Sequence, residues 1–215
     1  MSKRVQQSVG ALAALEQDAH LMLQVKEGDA GSFELLLNKY RRPLVNYLNR
    51  MVQNQAVAEE LAQEVFLRVY RARATYEPAA KFTTWLFRIA THLALNTLRD
   101  SRHQRKEQSV DGAGPEGQPL QLADPRANRE DQMLAETRLA AVRQAIGRLP
   151  ENQRAAVLLH KYEGMDYAQI ADALGCSVSA VKSLLFRAYE SLRVSLAHLA
   201  VNYKKRPAED VNGGI

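Results

Sequence analysis

Lys182, Ser183, Phe186 and Arg187 lie close together in the segment VKSLLFR and form two i,i+4 pairs, Lys182 with Phe186 and Ser183 with Arg187. A cation, a hydroxyl, an aromatic ring and a second cation on one side of a helix suit phosphate oxygens and base edges. Ser179 and Ala180 stand just before them, where the N–H groups of a helix start can approach a phosphate. Val178, Val181, Leu185, Ala188 and Leu192 recur at steps of three and four, the spacing of a buried helical face. The polar residues would equally serve as the solvated side of an ordinary amphipathic hairpin. The segment alone leaves both readings open.

The elements that must position these side chains are legible just upstream. Asp166 is an N-cap residue with Gln169 three positions later, an acidic version of the capping box. Ile170, Ala171 and Leu174 give a narrow apolar stripe. Gly175 follows where a helix end favours a left-handed residue, and Ser177 is the next N-cap. Two short helices joined by a tight turn form the helix-turn-helix pattern, which sets its second helix in the major groove.

The net charge of +5 favours a polyanionic partner without naming one. Its distribution says more. Arg68, Arg71, Arg73, Lys81, Arg88, Arg99, Arg102, Arg105 and Lys106 face only Glu77 and Asp100 over their stretch, whereas residues 53–64 hold Glu59, Glu60 and Glu64 and no Lys or Arg. A basic block beside an acidic one implies two surfaces with two partners. Cys176 is the single cysteine, so an intrachain disulfide is excluded; its place in the turn reads as a small packing residue. No apolar run reaches the roughly 20 residues that span a bilayer. The N-terminal MSKRVQQSVGALAALEQ is too short and mixed in its apolar part for a secretory signal, so a cytoplasmic location is expected. His20, His92, His103, His160 and His198 are scattered without metal-ligand spacing. There is no Gly-rich phosphate loop and no nucleophile motif. We expect no catalysis, no metal, no cofactor and no small-molecule substrate.

Helical periodicity dominates and strand signals are absent, which predicts an all-α protein. A short helix over His20–Glu27 stops at Gly28. Ser32 is the expected cap of a longer helix carrying Phe33 to Met51, with Pro43 as a kink site. Further helices are expected over Val57–Ala72 and Phe82–Arg102, separated by Tyr76-Glu77-Pro78. Glu107–Arg129 is rich in Gly and Pro and has no apolar period, the composition of a flexible linker. From Asp131 a helix carries Leu134, Leu139, Val142, Ala145, Ile146 and Leu149; Pro150 opens the next, with Val157, Leu158 and Tyr162 on its apolar face. The expected organisation is two small helical domains, 18–106 and 131–202, joined by a linker over 107–130, with a tail over 203–215.

Four strings in order carry a resemblance: EELAQEVFLRVYR from Glu59, KFTTWLFRIATHLALNTL from Lys81 followed by RDSRHQRK, LPENQR from Leu149, and Tyr162–Arg193. Over about residues 20–200 the chain resembles a bacterial RNA polymerase sigma factor of the extracytoplasmic-function group. The resemblance implies a polymerase subunit that directs promoter-specific initiation. Its partners would be core RNA polymerase, through the clamp helices of the largest subunit and the flap, and promoter DNA. An anti-sigma factor is a further implied partner.

Residue by residue, the resemblance implies that Glu59, Glu60, Gln63 and Glu64 dock on the arginine-rich clamp helices. Glu60 and Glu64 share an i,i+4 face suited to that role. Tyr76, Lys81, Phe82, Thr84, Arg88 and His92 would meet the melted start-proximal element by stacking and polar contact. Trp85 falls on the apolar stripe with Ile89 and reads mainly as core. Arg99, Arg102, Arg105 and Lys106 would hold phosphates without reading sequence. Ser179, Ala180, Lys182, Ser183, Phe186 and Arg187 would read the upstream element, Phe186 either on a thymine methyl or packed against Leu184 or a neighbour. His92 stands where many members have Asn, which leaves base preference at that site open.

The competing reading is a helix-turn-helix regulator that acts without being a polymerase subunit. Such a protein would carry a ligand-binding or phospho-acceptor α/β domain in its first half, and none is legible.

Overall fold

The computed structural model of the chain describes residues 17–108, 129–197 and 199, and side chains over 17–104 and 136–197 and at 199. The described residues are helical, with no strand among them: α1 over 17–26, α2 Ala30–Val52, α3 Gln55–Arg71, a 3-10 turn Ala72–Thr75, α4 Phe82–Gln108, α5 Arg129–Gly147, α6 Glu151–Lys161, α7 Tyr167–Leu174 and α8 Val178–Ser195. The all-α expectation holds, in two helical halves, α1–α4 and α5–α8. Most of the expected linker, 109–128, and the tail 203–215 lie outside the described residues.

Local chemistry explains where these helices start. The cap of α2 is Asp29, not the expected Ser32: the Asp29 carboxylate accepts the Gly31 N–H at 2.9 Å and the Ser32 hydroxyl at 2.7 Å. Ser32 is buried one turn inside, and its hydroxyl also reaches Gln24 Oε1 at 2.8 Å, which ties α1 to α2. Helix α2 runs on through Pro43, whose own side chain is exposed. Burial of Leu36, Tyr40, Leu44, Tyr47, Leu48 and Met51 on its other side offsets the hydrogen bond lost there. Asn54 caps α3 by accepting the Val57 N–H, so α3 begins two residues before the expected start.

Helix α4 is the centre of the molecule. It lies against α2 and α3 on one side and against α7 and α6 on another. Tyr47 of α2 is fully buried, edge-on to Phe87 with ring centroids 5.2 Å apart, and its hydroxyl meets Thr91 Oγ1 at 2.7 Å. Burial pushes the Tyr47 phenol well above its usual range. Asp18 is buried and accepts from Lys39 Nζ and Tyr40 Oη, each at 2.5 Å.

One hydrophobic cluster runs from Met22 and Leu36 through Leu86 and Phe87 to Leu158, Ile170 and Leu185. Besides the linker expected between them, the two helical halves are joined by packing, because they share this core. Polar side chains knit the seam. Arg154 of α6 is buried and donates to the Met51 carbonyl of α2, to Gly147 at 2.5 Å and to Leu149 at 3.1 Å. Arg50 of α2 covers the Tyr162 ring at 4.2 Å.

Candidate nucleic-acid interface

The helix-turn-helix forms as its local chemistry dictates. Asp166 accepts the Gln169 N–H at 2.9 Å while Gln169 Oε1 accepts the Asp166 N–H at 3.0 Å, a complete capping box. Gly175 takes φ 62° and ψ 39°, the left-handed stop that glycine adopts without a Cβ penalty. Ser177 Oγ then accepts the Ala180 N–H at 3.2 Å and starts α8.

Val181, Leu185 and Ala188 of α8 are buried, while Val178 is 41% exposed. Ser179, Lys182, Ser183, Phe186 and Arg187 are all exposed, and the Phe186 ring is 70% open to solvent. That exposure rules out packing beside Leu184 as the role of Phe186 in this arrangement. Ser183 rests its hydroxyl on the Ser179 carbonyl at 3.2 Å. Ala180 is half-buried, and its N–H is already taken by the cap, so it has no free donor for a phosphate.

On α3, Glu59, Glu60 and Gln63 are exposed along one side. Glu59 accepts from Gln55 Nε2 at 2.6 Å. Glu64 is half-buried and accepts from Arg68 Nε at 2.7 Å, which holds its carboxyl below the usual range. Part of the acidic face is thus neutralised within its own helix.

The residues of the start-proximal set separate. Lys81 and His92 are exposed. Tyr76 and Phe82 are core residues, 4% and 1% exposed. Phe82 packs on Tyr40 at 5.5 Å between ring centroids, and Tyr76 packs on the half-buried Trp85 at 5.1 Å. Their expected role as base-stacking rings is corrected: in this fold their faces are spent on one another and on α2. Thr84 is buried beneath α7 and accepts from Gln169 Nε2 at 3.1 Å. Arg88 reaches Asp172 of α7 at 3.2 Å, and Arg102 reaches Glu151 of α6 at 2.6 Å. Arg99 stays on its own helix, with Asn96 Oδ1 at 3.1 Å. Arg105 and Lys106 lie outside the residues whose side chains are described.

The sequence reading missed the groups on the far side of the seam: Glu151, Arg154, Gln169 and Asp172. Gln169 was legible as a cap, but nothing local marks its amide as a partner of Thr84. Among the described residues no group of His, Cys, Asp and Glu could hold a metal ion, and no helix is long and apolar enough to cross a membrane. Cys176 is a half-buried free thiol.

Two family models match, Sigma-70 region 2 over residues 36–104 and Sigma-70 region 4 over residues 139–192. The chain is 35% identical to the RNA polymerase sigma-H factor of Pseudomonas aeruginosa, over 86% of this chain and 96% of that protein. It is 32% identical to the ECF RNA polymerase sigma-E factor of Escherichia coli K12, over 81% of this chain and 92% of the relative. In fold it is similar to CnrH, solved in complex with the cytosolic domain of CnrY, with a TM-score of 0.62, 22% identity and coverage of 85% of this chain and 98% of that one. It is likewise similar to the sigma factor RpoE of Bartonella quintana, solved with the anti-sigma factor NepR, with a TM-score of 0.61, 23% identity and coverage of 77% and 96%. The regulator reading is not favoured by these matches, which span both halves in the expected order. The chain belongs to the extracytoplasmic-function group of sigma-70 factors, the subunits that direct RNA polymerase to promoters.

Proposed function

We propose that this sigma factor divides its work among three helices. Helix α3 docks on core RNA polymerase through Glu59, Glu60, Gln63 and Glu64. Helix α4 engages the start-proximal element, with Lys81, Arg88 and His92 at the bases and Arg99, Arg102, Arg105 and Lys106 on phosphates. Helix α8 reads the upstream element through Ser179, Lys182, Ser183, Phe186 and Arg187, while Ala180, its N–H held by the Ser177 cap, shapes the helix start.

The observation that carries the reading is the face of α8. Two cations, two hydroxyls and a 70% exposed phenyl ring stand together on a helix whose opposite side is closed into the core. An exposed aromatic beside cations has no folding role there and suits a base edge with its flanking phosphates. The chain itself performs no catalysis, and it acts in the cytoplasm where polymerase and promoters are. The solved neighbour RpoE, in complex with the anti-sigma factor NepR, supports such a partner here as well.

The test is promoter-specific transcription by purified chain and core polymerase. Reversing Glu59 and Glu60 to Lys should lower affinity for core polymerase while leaving duplex binding through α8 intact. Equal loss of both would sink the assignment of surfaces, and failure of the unsubstituted chain to bind core polymerase would sink the reading altogether.

A further inference from the structure

The stripe of α8 that carries Lys182 and Phe186 does not end with them. Tyr189 lies three positions beyond Phe186 and seven beyond Lys182, so it shares their side of the helix, and it is 39% exposed. Its hydroxyl shares a hydrogen bond of 2.9 Å with Nδ1 of His160, the penultimate residue of α6. The imidazole lies 5.5 Å from the Tyr167 ring and 6.3 Å from the Tyr189 ring, centroid to centroid. Tyr167 is the first residue of α7 and is likewise exposed. Three helices thus bring two phenol hydroxyls and one imidazole to the end of the recognition stripe. None of these three side chains belongs to the buried core.

We propose that His160, held by Tyr189 and Tyr167, is a titrating phosphate contact at the edge of the upstream-element surface: once protonated it binds a backbone phosphate, so duplex binding tightens in mild acid. This rests on the reading of α8 as the upstream-element helix. In a helix-turn-helix the second helix enters the groove while the first crosses the backbone, which sets the start of α7, and the imidazole packed on it, near phosphates. Tyrosine hydroxyls and an imidazolium both suit phosphate oxygens. Imidazole is the side chain whose charge changes between about pH 5 and pH 8. A phosphate favours the charged ring, so binding takes up a proton and weakens as pH rises through that range. The contact adjusts affinity without changing which bases are read, because phosphates carry no sequence.

The surroundings suit this role. Tyr189 Oη occupies Nδ1, which leaves Nε2 for an acceptor outside the chain. Tyr167 of α7 and Tyr189 of α8 are the titratable groups set against the ring. Burial first, and Tyr167 second, push the Tyr189 phenol above its usual range, so it stays neutral while the imidazole titrates. Lys161, exposed beside His160, adds to the attraction for an anion. The nearby carboxylates have cations of their own: Glu163 feels the pull of Arg50, and Glu190 accepts from Arg193 at 2.8 Å.

The experiment uses the full chain and a duplex that it selects from a random-sequence pool, titrated at pH 6 and pH 8 over several salt concentrations. The unsubstituted chain should bind about twofold to fivefold more tightly at pH 6, the effect of one exposed ion pair, with a salt slope about one unit steeper. His160→Gln keeps a hydrogen-bonding side chain without the charge and should lose both differences. His160→Arg is charged at both pH values and should show at pH 8 the affinity and slope that its parent shows at pH 6. A His160→Gln chain that retains the parent's pH ratio and slope change overturns the proposal, and so does a His160→Arg chain with the parent's slope at pH 8. Tyr189→Phe removes the hydroxyl and keeps the ring; it should reduce the pH ratio, and an unchanged ratio overturns the positioning role of Tyr189. Arg187→Ala, measured alongside, separates this inference from the reading beneath it. If Arg187→Ala weakens duplex binding while His160→Gln behaves as its parent does, the phosphate contact fails and α8 remains the reader. If Arg187→Ala also binds as its parent does, the reading of α8 fails.

Discussion

Arg154 of α6 donates to the main-chain carbonyl of Met51 in the last turn of α2, and the same guanidinium holds the carbonyls of Gly147 and Leu149 at the end of α5. One buried cation thus closes the C-terminal ends of two helices from opposite halves, where orphan carbonyls and the helix dipoles both favour positive charge. Burial lowers the Arg154 pKa, and these carbonyls are what keep the charge tolerable there.

Replacing Arg154 with Met should destabilise the chain by about 3 kcal/mol, because buried carbonyls lose their donors. Arg154→Lys should recover only part of this, since an ammonium cannot fork to carbonyls on two helices. Urea midpoints of the three proteins check it. A lysine variant as stable as the parent would show that charge alone is at work.

Phe82→Ala should cost about 3–5 kcal/mol, the cost of emptying a buried ring site. Lys81→Ala and His92→Ala, both exposed, should change stability by less than about 0.5 kcal/mol. Thermal melts separate the two classes. A Phe82→Ala protein that melts like its parent yet fails to open promoters would return Phe82 to the DNA-contacting set.

On α8 the expectation reverses. Phe186→Ala and Arg187→Ala should leave the melting temperature nearly unchanged, since both side chains are exposed, but should weaken promoter duplex binding. Arg187→Ala should also reduce the salt dependence of binding by about one unit of slope, the signature of one lost phosphate contact. Titrations at several salt concentrations read both effects.

Gly175 sits at φ 62° with open space around its absent Cβ. Gly175→Ala should therefore cost about 1 kcal/mol through backbone strain alone, and Gly175→Asn less, because Asn tolerates the left-handed region. Denaturation of the three proteins tests this ordering. A Gly175→Ala chain with full stability would mean that the turn relaxes out of this conformation.

Glu163, in the turn between α6 and α7, has its carboxyl pushed up to about 7 by burial, against the opposing pull of Arg50. The protonated form is the one the fold favours. Its contribution is therefore complete below the ordinary carboxylate range and is lost as pH rises through about 7. Stability should fall between pH 5 and pH 8, and Glu163→Gln should flatten that slope and raise the melting temperature at pH 8. An unaltered slope in the variant would place the titration elsewhere.

Much of this protein was determined locally. Asp166, Gln169, Gly175 and Ser177 specify two helices and their turn through hydrogen bonds that span three or four residues, so the helix-turn-helix is legible in the sequence. The apolar steps of Val181, Leu185 and Ala188 say which side of α8 faces inward, and therefore that Lys182, Ser183, Phe186 and Arg187 face out. The position of Asp29 rather than Ser32 as the cap of α2 was a choice between two good candidates one turn apart, which only the path of the chain entering from α1 decides.

Tertiary structure alone decided what happens across long sequence separations. Tyr76 and Phe82 have the composition of a base-stacking platform, and packing against Tyr40 and Trp85 makes them core. Arg88 and Asp172, Arg102 and Glu151, and Arg154 and Met51 are each brought together by the packing of one half on the other. Such pairs leave no periodic trace, because a polar side chain at a helix surface looks the same in sequence whether water, a phosphate or a carboxylate from the other half of the chain stands in front of it.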